Sequence, residues 1–152
     1  MEQLIRFAAD GLLLLIILGA GIAGAITVFR SPRVLTKTPL VIMAGLTSLL
    51  AGKLLSLVYQ PSLVRPYIER GLQPGAAYID NPGFPSDHAL LATVVILIVY
   101  FVTPYKRLSY ILALLLIIMA AARVLAFVHT PLDVVGGVLV GLAGGIWYFR
   151  QK

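Results

Sequence analysis

The sequence predicts an all-α bundle embedded in a membrane, with about five spanning helices, its N-terminus outside and its C-terminus inside. Three observations carry that expectation. Of the 152 residues, 60% are apolar and only 12% are charged, and mean hydropathy is +0.98, more than a soluble core of this size needs. The apolar residues fall into five runs. The charges fall between the runs, in a pattern that separates one end of the bundle from the other.

A hydrocarbon core of about 30 Å takes roughly 20 apolar residues in a helix, and each span must satisfy its own backbone hydrogen bonds there. The first run, about Ala8 to Phe29, carries Glu2, Arg6 and Asp10 on its flank in place of a basic cluster. It is therefore expected to be a retained span and not a cleaved leader, despite the small residues Ala20, Ala23 and Ala25. The second runs from about Pro39 to Tyr59 and the third, the shortest, from His88 to Val102. Between them lies one long polar segment, Gln60 to Asp87, rich in proline, glycine and charge. A loop of that length in so small a chain is expected to be functional. The fourth run is about Leu108 to Val128 and the fifth Leu132 to Phe149. No repeat or second domain is visible, so residues 1–152 read as one domain.

If Arg30, Arg33 and Lys37, then Lys106 and Arg107, then Arg150 and Lys152 are all cytoplasmic, seven of the twelve Lys and Arg lie inside. All six acids then fall at the other side: Glu2, Asp10, Glu69, Asp80, Asp87 and Asp133. The net charge of +6 reads as this bias, and nucleic acid is not an expected partner. The absence of cysteine excludes disulfides and thiol chemistry. Tyr100, Tyr105, Tyr110, Trp147 and Tyr148 suit the inner headgroup belt, and Tyr59, Tyr67 and Tyr78 the outer one. Gly137, Gly141 and Gly145 recur every fourth residue and favour close helix packing, within the chain or in a homo-oligomer.

With both outer connections on one side, Lys53, Arg65, Arg70, His88, Arg123, His129 and Asp133 gather at one depth. Ionisable groups in or near spans are costly and tend to be functional; snorkelling to the headgroups is the plainer account of any one cation. The stretch Arg123-Val-Leu-Ala-Phe-Val-His129-Thr-Pro-Leu-Asp133 puts an acid four residues after a histidine, within reach of one ring N–H, which leaves the other ring nitrogen as a nucleophile. Thr130 and Pro131 read as an N-cap and first helical residue, with Asp133 in the first turn. In Phe84-Pro85-Ser86-Asp87-His88, Ser86 reads as the cap of a helix whose free N–H groups can meet an anion.

Pro85-Ser86-Asp87-His88 and Arg123-x5-His129-x3-Asp133 resemble the second and third signature motifs of the type 2 phosphatidate phosphatase superfamily, which also includes soluble haloperoxidases that use vanadium. The family's first motif is Lys-x6-Arg-Pro. Here Lys53 precedes Arg65-Pro66 by eleven intervening residues, while the strict spacing lands on Gln60-Pro61. Arg65 is the preferred match, because a phosphate needs charge. Ala122 stands where the family has a serine. Asp87 stands where most members have glycine, a variant similar to the bacitracin-resistance group of undecaprenyl-diphosphate phosphatases. Family members commonly have six spans, one more than expected here.

The resemblance implies His129 as nucleophile, Asp133 as its orienting acid and His88 as general acid and base. Lys53, Arg65, Ser86 and Arg123 would bind phosphate, with Pro85, Asp87 and Gln60 completing the candidate set. It implies no cofactor and no metal, since three cations supply the charge. The expected substrate is a polyprenyl diphosphate, undecaprenyl diphosphate first, hydrolysed through a phosphohistidine, with phosphatidate, phosphatidylglycerophosphate or another lipid monophosphate as the alternative. It is expected to be met in the plasma membrane, with the site facing outward. A non-catalytic transporter or binding scaffold is the reading of a different class, favoured by the altered first motif and by Ala122.

Overall fold

The computed structural model describes residues 1–81 and 83–149; Pro82 and residues 150–152, including the Arg150 and Lys152 assigned above to the inner end, lie outside the described residues. The described residues form helices and connections without strand. Helix α1 runs Glu2–Arg30 and starts ahead of the apolar run. Glu2 and Arg6 sit four apart there, the spacing at which opposite charges favour a helix. Its Phe7–Gly11 turn is π-helical, a local insertion that is frequent at functional sites. A 3-10 segment, Pro32–Lys37, leads into α2, Thr38–Val58. A single turn, α3 (Pro66–Glu69), interrupts the long loop. Then follow α4 (Asp87–Val102), α5 (Lys106–Leu125), α6 (Pro131–Ala143) and, after a Gly144-Gly145 break, α7 (Ile146–Phe149).

The breaks follow from proline. Ser31, Arg65, Thr103 and Thr130 each precede one, and all four are extended, because the proline ring clashes with a helical residue before it. At Ser31 and Thr103 this ends a helix. At Arg65 and Thr130 it starts one, with proline in the first turn where the missing N–H is not needed.

Four segments are long and apolar enough to cross a membrane: Glu2–Arg30, Pro32–Val58, Lys106–Leu125 and Pro131–Phe149. The fifth expected span, α4, has 16 residues and falls short of that length. Its position compensates, since α4 packs against α1, α2, α5 and α6 and forms the centre of the bundle. Ile16 of α1, Val99 of α4 and Met119 of α5 are fully buried in the main core cluster. The outer faces of the surrounding helices are apolar and exposed, for example Leu18, Leu54, Ile117 and Leu139, as a lipid-facing surface requires.

The glycine stripe serves packing within the chain. A Cβ on Gly137 would overlap the carbonyl oxygen of Ser86, and one on Gly141 would come within 2.6 Å of Thr93 Cβ and 2.9 Å of Leu90 O. The third close approach between helices belongs to Gly144, against Ala44 O of α2; at Gly145 a Cβ would meet Leu142 O of the same segment at 2.9 Å. Ser48 Oγ donates to Gly141 O at 3.0 Å and accepts from Gly144 N at 3.1 Å, a polar tie between α2 and α6 where hydrocarbon supplies no alternative partner.

The two ends of the bundle differ. At one end the first and third connections meet, where Arg30 donates to Tyr105 OH at 3.4 Å and Lys37 to Phe101 O at 3.3 Å. Tyr100 and Tyr110 pair there, with ring centroids 6.0 Å apart. The other end holds the start of α1, the long loop and the α5–α6 connection with His129.

Candidate active site

The chain leaves α5 through a turn that aims His129. Phe127 N donates to Val124 O at 3.0 Å and Val128 N to Arg123 O at 3.3 Å, the paired bonds of a Schellman ending. Its left-handed position is filled by Phe127, with φ of 56°, where glycine is the usual residue; a bulky side chain there costs about 1 kcal/mol. What holds the turn is the long loop. The three carbonyls ahead of His129 all accept from it: Ala126 O from Gly75 N at 3.1 Å, Phe127 O from Tyr67 N at 3.0 Å and Val128 O from Arg65 NH1 at 2.6 Å.

Arg65 is buried at 6% exposure, and its guanidinium is largely occupied by the loop. Besides Val128 O, it donates to Asn81 O at 3.2 Å, Ile79 O at 2.9 Å and Asn81 Oδ1 at 2.6 Å. Its visible contacts therefore order the backbone, while its charge still acts on His129.

Beyond His129, Thr130 Oγ1 accepts from Asp133 N at 3.1 Å and Asp133 Oδ2 accepts from Thr130 N at 2.7 Å. This is the reciprocal capping box, and it fulfils the expectation that Thr130 caps a helix beginning at Pro131. The same Oδ2 lies 3.5 Å from His129 Nδ1. That nitrogen is buried and lacks an aligned hydrogen bond, so the pair stands at ion-pair distance. Catalytic hydrogen bonds commonly tighten only once substrate is present.

Burial holds the His129 imidazole below its ordinary 6.5; Asp133 opposes the shift, and Arg123 and Arg65 add to it. The ring is therefore neutral at pH 7. Because the unfolded chain takes up this proton first, the associated stability is present above about pH 6.5 and is lost as pH falls towards the lowered folded value. With two histidines in the chain, imidazole ¹⁵N NMR can follow the ring directly, His129→Ala assigning the signal. The midpoint is expected below 6.5, and lower still in Asp133→Asn, which removes the opposing influence. A midpoint at or above 6.5 would contradict this electrostatic account.

Ser86 precedes α4 as expected, but its side chain makes no capping bond. Its N–H donates to Asp133 O at 2.9 Å, which joins the second motif to the third. Its Oγ is fully buried and unpartnered, beside the free N–H groups of the helix start. Gly137 allows this approach. His88 occupies the first turn of α4, and the ionisable groups near enough to act on it include Arg123, His129, Asp10 and Asp87. The two histidines thus share one electrostatic neighbourhood.

Arg123 is 1% exposed. Its NH1 donates to Asp10 Oδ1 at 3.0 Å and its NH2 to Ala77 O at 2.8 Å, while Asp10 Oδ2 accepts from Ala77 N at 3.0 Å. Arg123, Asp10 and Ala77 therefore close a ring of hydrogen bonds, leaving the buried Nε unpartnered. Asp10 was missed as a site residue in the sequence, where it served only as a flanking charge. The signal that could have found it is an acid at the mouth of a span. Asp10 orients Arg123 through this ring: Asp10→Ala should speed amide exchange at Ala77 and lower any turnover that uses Arg123 by about 10- to 100-fold. Asp10→Asn, which keeps an acceptor, should recover part of both. Unchanged exchange at Ala77 would remove the clamp from the account.

Lys53 and Gln60 stand apart from this cluster. Lys53 is exposed on α2, in the wall of a cavity of about 230 Å³ that it shares with Gln60, Phe84, Pro85 and Asp87. Neither histidine lines that cavity; Asp87, which acts on His88, links the two regions. Gln60 Nε2 donates to Ser56 O at 2.7 Å and Phe84 O at 3.0 Å, and its Oε1 is buried without a partner.

Among the described residues, five buried side-chain polar atoms lack a partner, and four of them are Gln60 Oε1, Ser86 Oγ, Arg123 Nε and His129 Nδ1. Buried polar groups are normally satisfied; the fifth orphan, Tyr148 OH, lies outside the motifs, and the three on Ser86, Arg123 and His129 mark a place suited to a polar ligand. Neither curated proteins nor solved structures gave a match to this chain. The model of the PAP2 superfamily matches residues 11–152, nearly the whole length and every residue of the cluster except Asp10. The chain therefore belongs to the PAP2 superfamily, which implies phosphatase activity on lipid phosphates.

Proposed function

We propose that the protein hydrolyses a polyprenyl diphosphate, with undecaprenyl diphosphate the leading candidate, through a phosphohistidine on His129 at the outer face of the plasma membrane. In this reading it recycles the lipid carrier of cell-envelope synthesis. The observation that carries it is the set of unpartnered donors and acceptors around His129. Asp133 faces Nδ1, so Nε2 is the attacking nitrogen. It forms a bond to the terminal phosphorus as the bond to the bridging oxygen breaks, and His88 gives that oxygen a proton. His88 then takes a proton from water, which attacks the phosphohistidine, releases inorganic phosphate and frees His129.

Arg123 Nε, Ser86 Oγ and the N–H groups opening α4 stabilise the phosphoryl oxygens. Arg65 contributes charge from its place in the loop. Lys53, in the adjoining cavity, meets the second phosphate of a diphosphate, and Asp87, the residue by which the second motif resembles the bacitracin-resistance group, favours the diphosphate reading. With that much positive charge a metal is not required. Outward placement rests on the bias of Lys and Arg towards the opposite end.

A malachite green assay of the purified protein, with and without EDTA, tests this against undecaprenyl diphosphate, phosphatidate and phosphatidylglycerophosphate. Faster release from the diphosphate, unaffected by EDTA, is expected. A large preference for either monophosphate would transfer the assignment to that class, and loss of turnover in EDTA would overturn the metal-free mechanism.

A further inference from the structure

At the end of the bundle opposite His129, a cavity of about 380 Å³ is lined by Arg30, Arg33 and Lys37 together with Tyr105. Among the described residues no acid lines it. Arg30 donates to Tyr105 OH and Lys37 to Phe101 O, so two of the three cations are held in place. A second cavity, about 160 Å³ and mostly apolar, runs along α1, α2 and α4 past Ala20, Gly24 and Ile98. The two share Thr27, Val34 and Val102, so a basic chamber opens into an apolar groove.

The positive-inside preference accounts for cations at this end. It does not account for a chamber that concentrates three of them, or for a groove continuous with it. Gly24 borders open space in this groove, since a Cβ built there meets nothing within 4 Å. A phosphodiester with attached hydrocarbon matches both parts: its single charge is attracted by the cations, and its chain fills apolar space that helices leave unsealed.

We propose that this end of the protein binds one anionic glycerophospholipid, its headgroup phosphate among Arg30, Arg33 and Lys37 and an acyl chain in the groove beside Gly24. The site is separate from the one that holds His129 and does not depend on which substrate that one takes. A phosphodiester is not a substrate for removal of a terminal phosphate, so occupancy and turnover are distinguishable.

The test compares thermal midpoints of the full chain in detergent micelles on addition of phosphatidylglycerol or phosphatidylcholine, with native mass spectrometry for stoichiometry. The wild type should gain several degrees with phosphatidylglycerol, retain one molecule, and gain little with phosphatidylcholine. The combined Arg30→Gln, Arg33→Gln and Lys37→Gln variant should lose most of the gain. Gly24→Phe, which fills the groove and keeps all three charges, should lose it as well; Gly24→Leu replaces it if the larger ring prevents folding. Equal gains from both lipids would overturn the proposal. So would a full gain in the groove-filled variant, the sign of diffuse attraction to an anionic surface, or reproduction of the gain by water-soluble glycerol phosphate.

Discussion

His129→Ala should reduce phosphate release from any lipid phosphate by on the order of 10³-fold or more, because removal of a covalent nucleophile eliminates the pathway and not merely one contact. The substitution leaves the backbone devices intact. The Schellman turn, the loop bonds to the carbonyls of residues 126–128 and the Thr130 capping box do not use the imidazole. Helix content and thermal midpoint should therefore change little, so a lost rate reports chemistry. Rapid quench with a ³²P-labelled substrate should trap an acid-labile, base-stable phosphoprotein in the wild type and none in the variant. Equal release by wild type and variant would exclude the phosphohistidine route, and a wild type that releases none would favour the scaffold reading.

The second large effect is expected at Gly137, which touches no substrate. Its Cα faces the Ser86 carbonyl, and any β-carbon would overlap that oxygen while lying 3.0 Å from Ala89 Cβ and 3.2 Å from Leu90 N. The obstructing atoms are largely backbone, so a flexible side chain cannot swing away to relieve the clash. Gly137→Val should push α4 from α6 at a cost of about 1–3 kcal/mol or more, stretch the Ser86 N to Asp133 O bond and misplace both motifs. A displacement of 1 Å can cost about 100-fold in rate. The measurements are thermal midpoint and phosphate release, with Gly21→Ala, where an added Cβ meets nothing within 4 Å, as the control. Wild-type activity in Gly137→Val would show that the two motifs tolerate separation.

Much of this site was legible because it is local in sequence. Thr130, Pro131 and Asp133 form a cap whose parts lie within four residues, and Ser86 sits one residue before its helix; such spacing translates directly into geometry. The five apolar runs were visible for the same reason, although α5 ends at Leu125, ahead of the expected Val128, because the chain turns at Phe127. Partnerships across the chain were not visible. Asp10 meets Arg123 from 113 residues away, through a π-helical turn that no apolar periodicity reveals. Arg65 was read as a phosphate ligand from its charge and the family spacing, whereas its donors go mainly to carbonyls of the loop. Lys53 was placed with the histidines by membrane depth, a coordinate that does not specify which side of a helix a residue occupies. The cavity between α2 and the second motif, and the groove at the far end, arise from helices that fail to seal, which depends on packing of many side chains at once.

Helix α4 is too short to cross the hydrocarbon on its own. Sixteen residues rise about 24 Å as a helix, about 6 Å less than the thickness of the hydrocarbon. Were Val102 level with one interface, His88 would fall about 6 Å short of the opposite one, below neighbouring segments such as Glu2–Arg30 and Lys106–Leu125 that are long enough to span. A phosphate attached to a membrane-anchored tail would reach that depth from the side, while a soluble phosphate ester would have to leave water to reach it. Selectivity for lipids over abundant soluble phosphates can thus arise from depth alone, without a single contact that reads the tail.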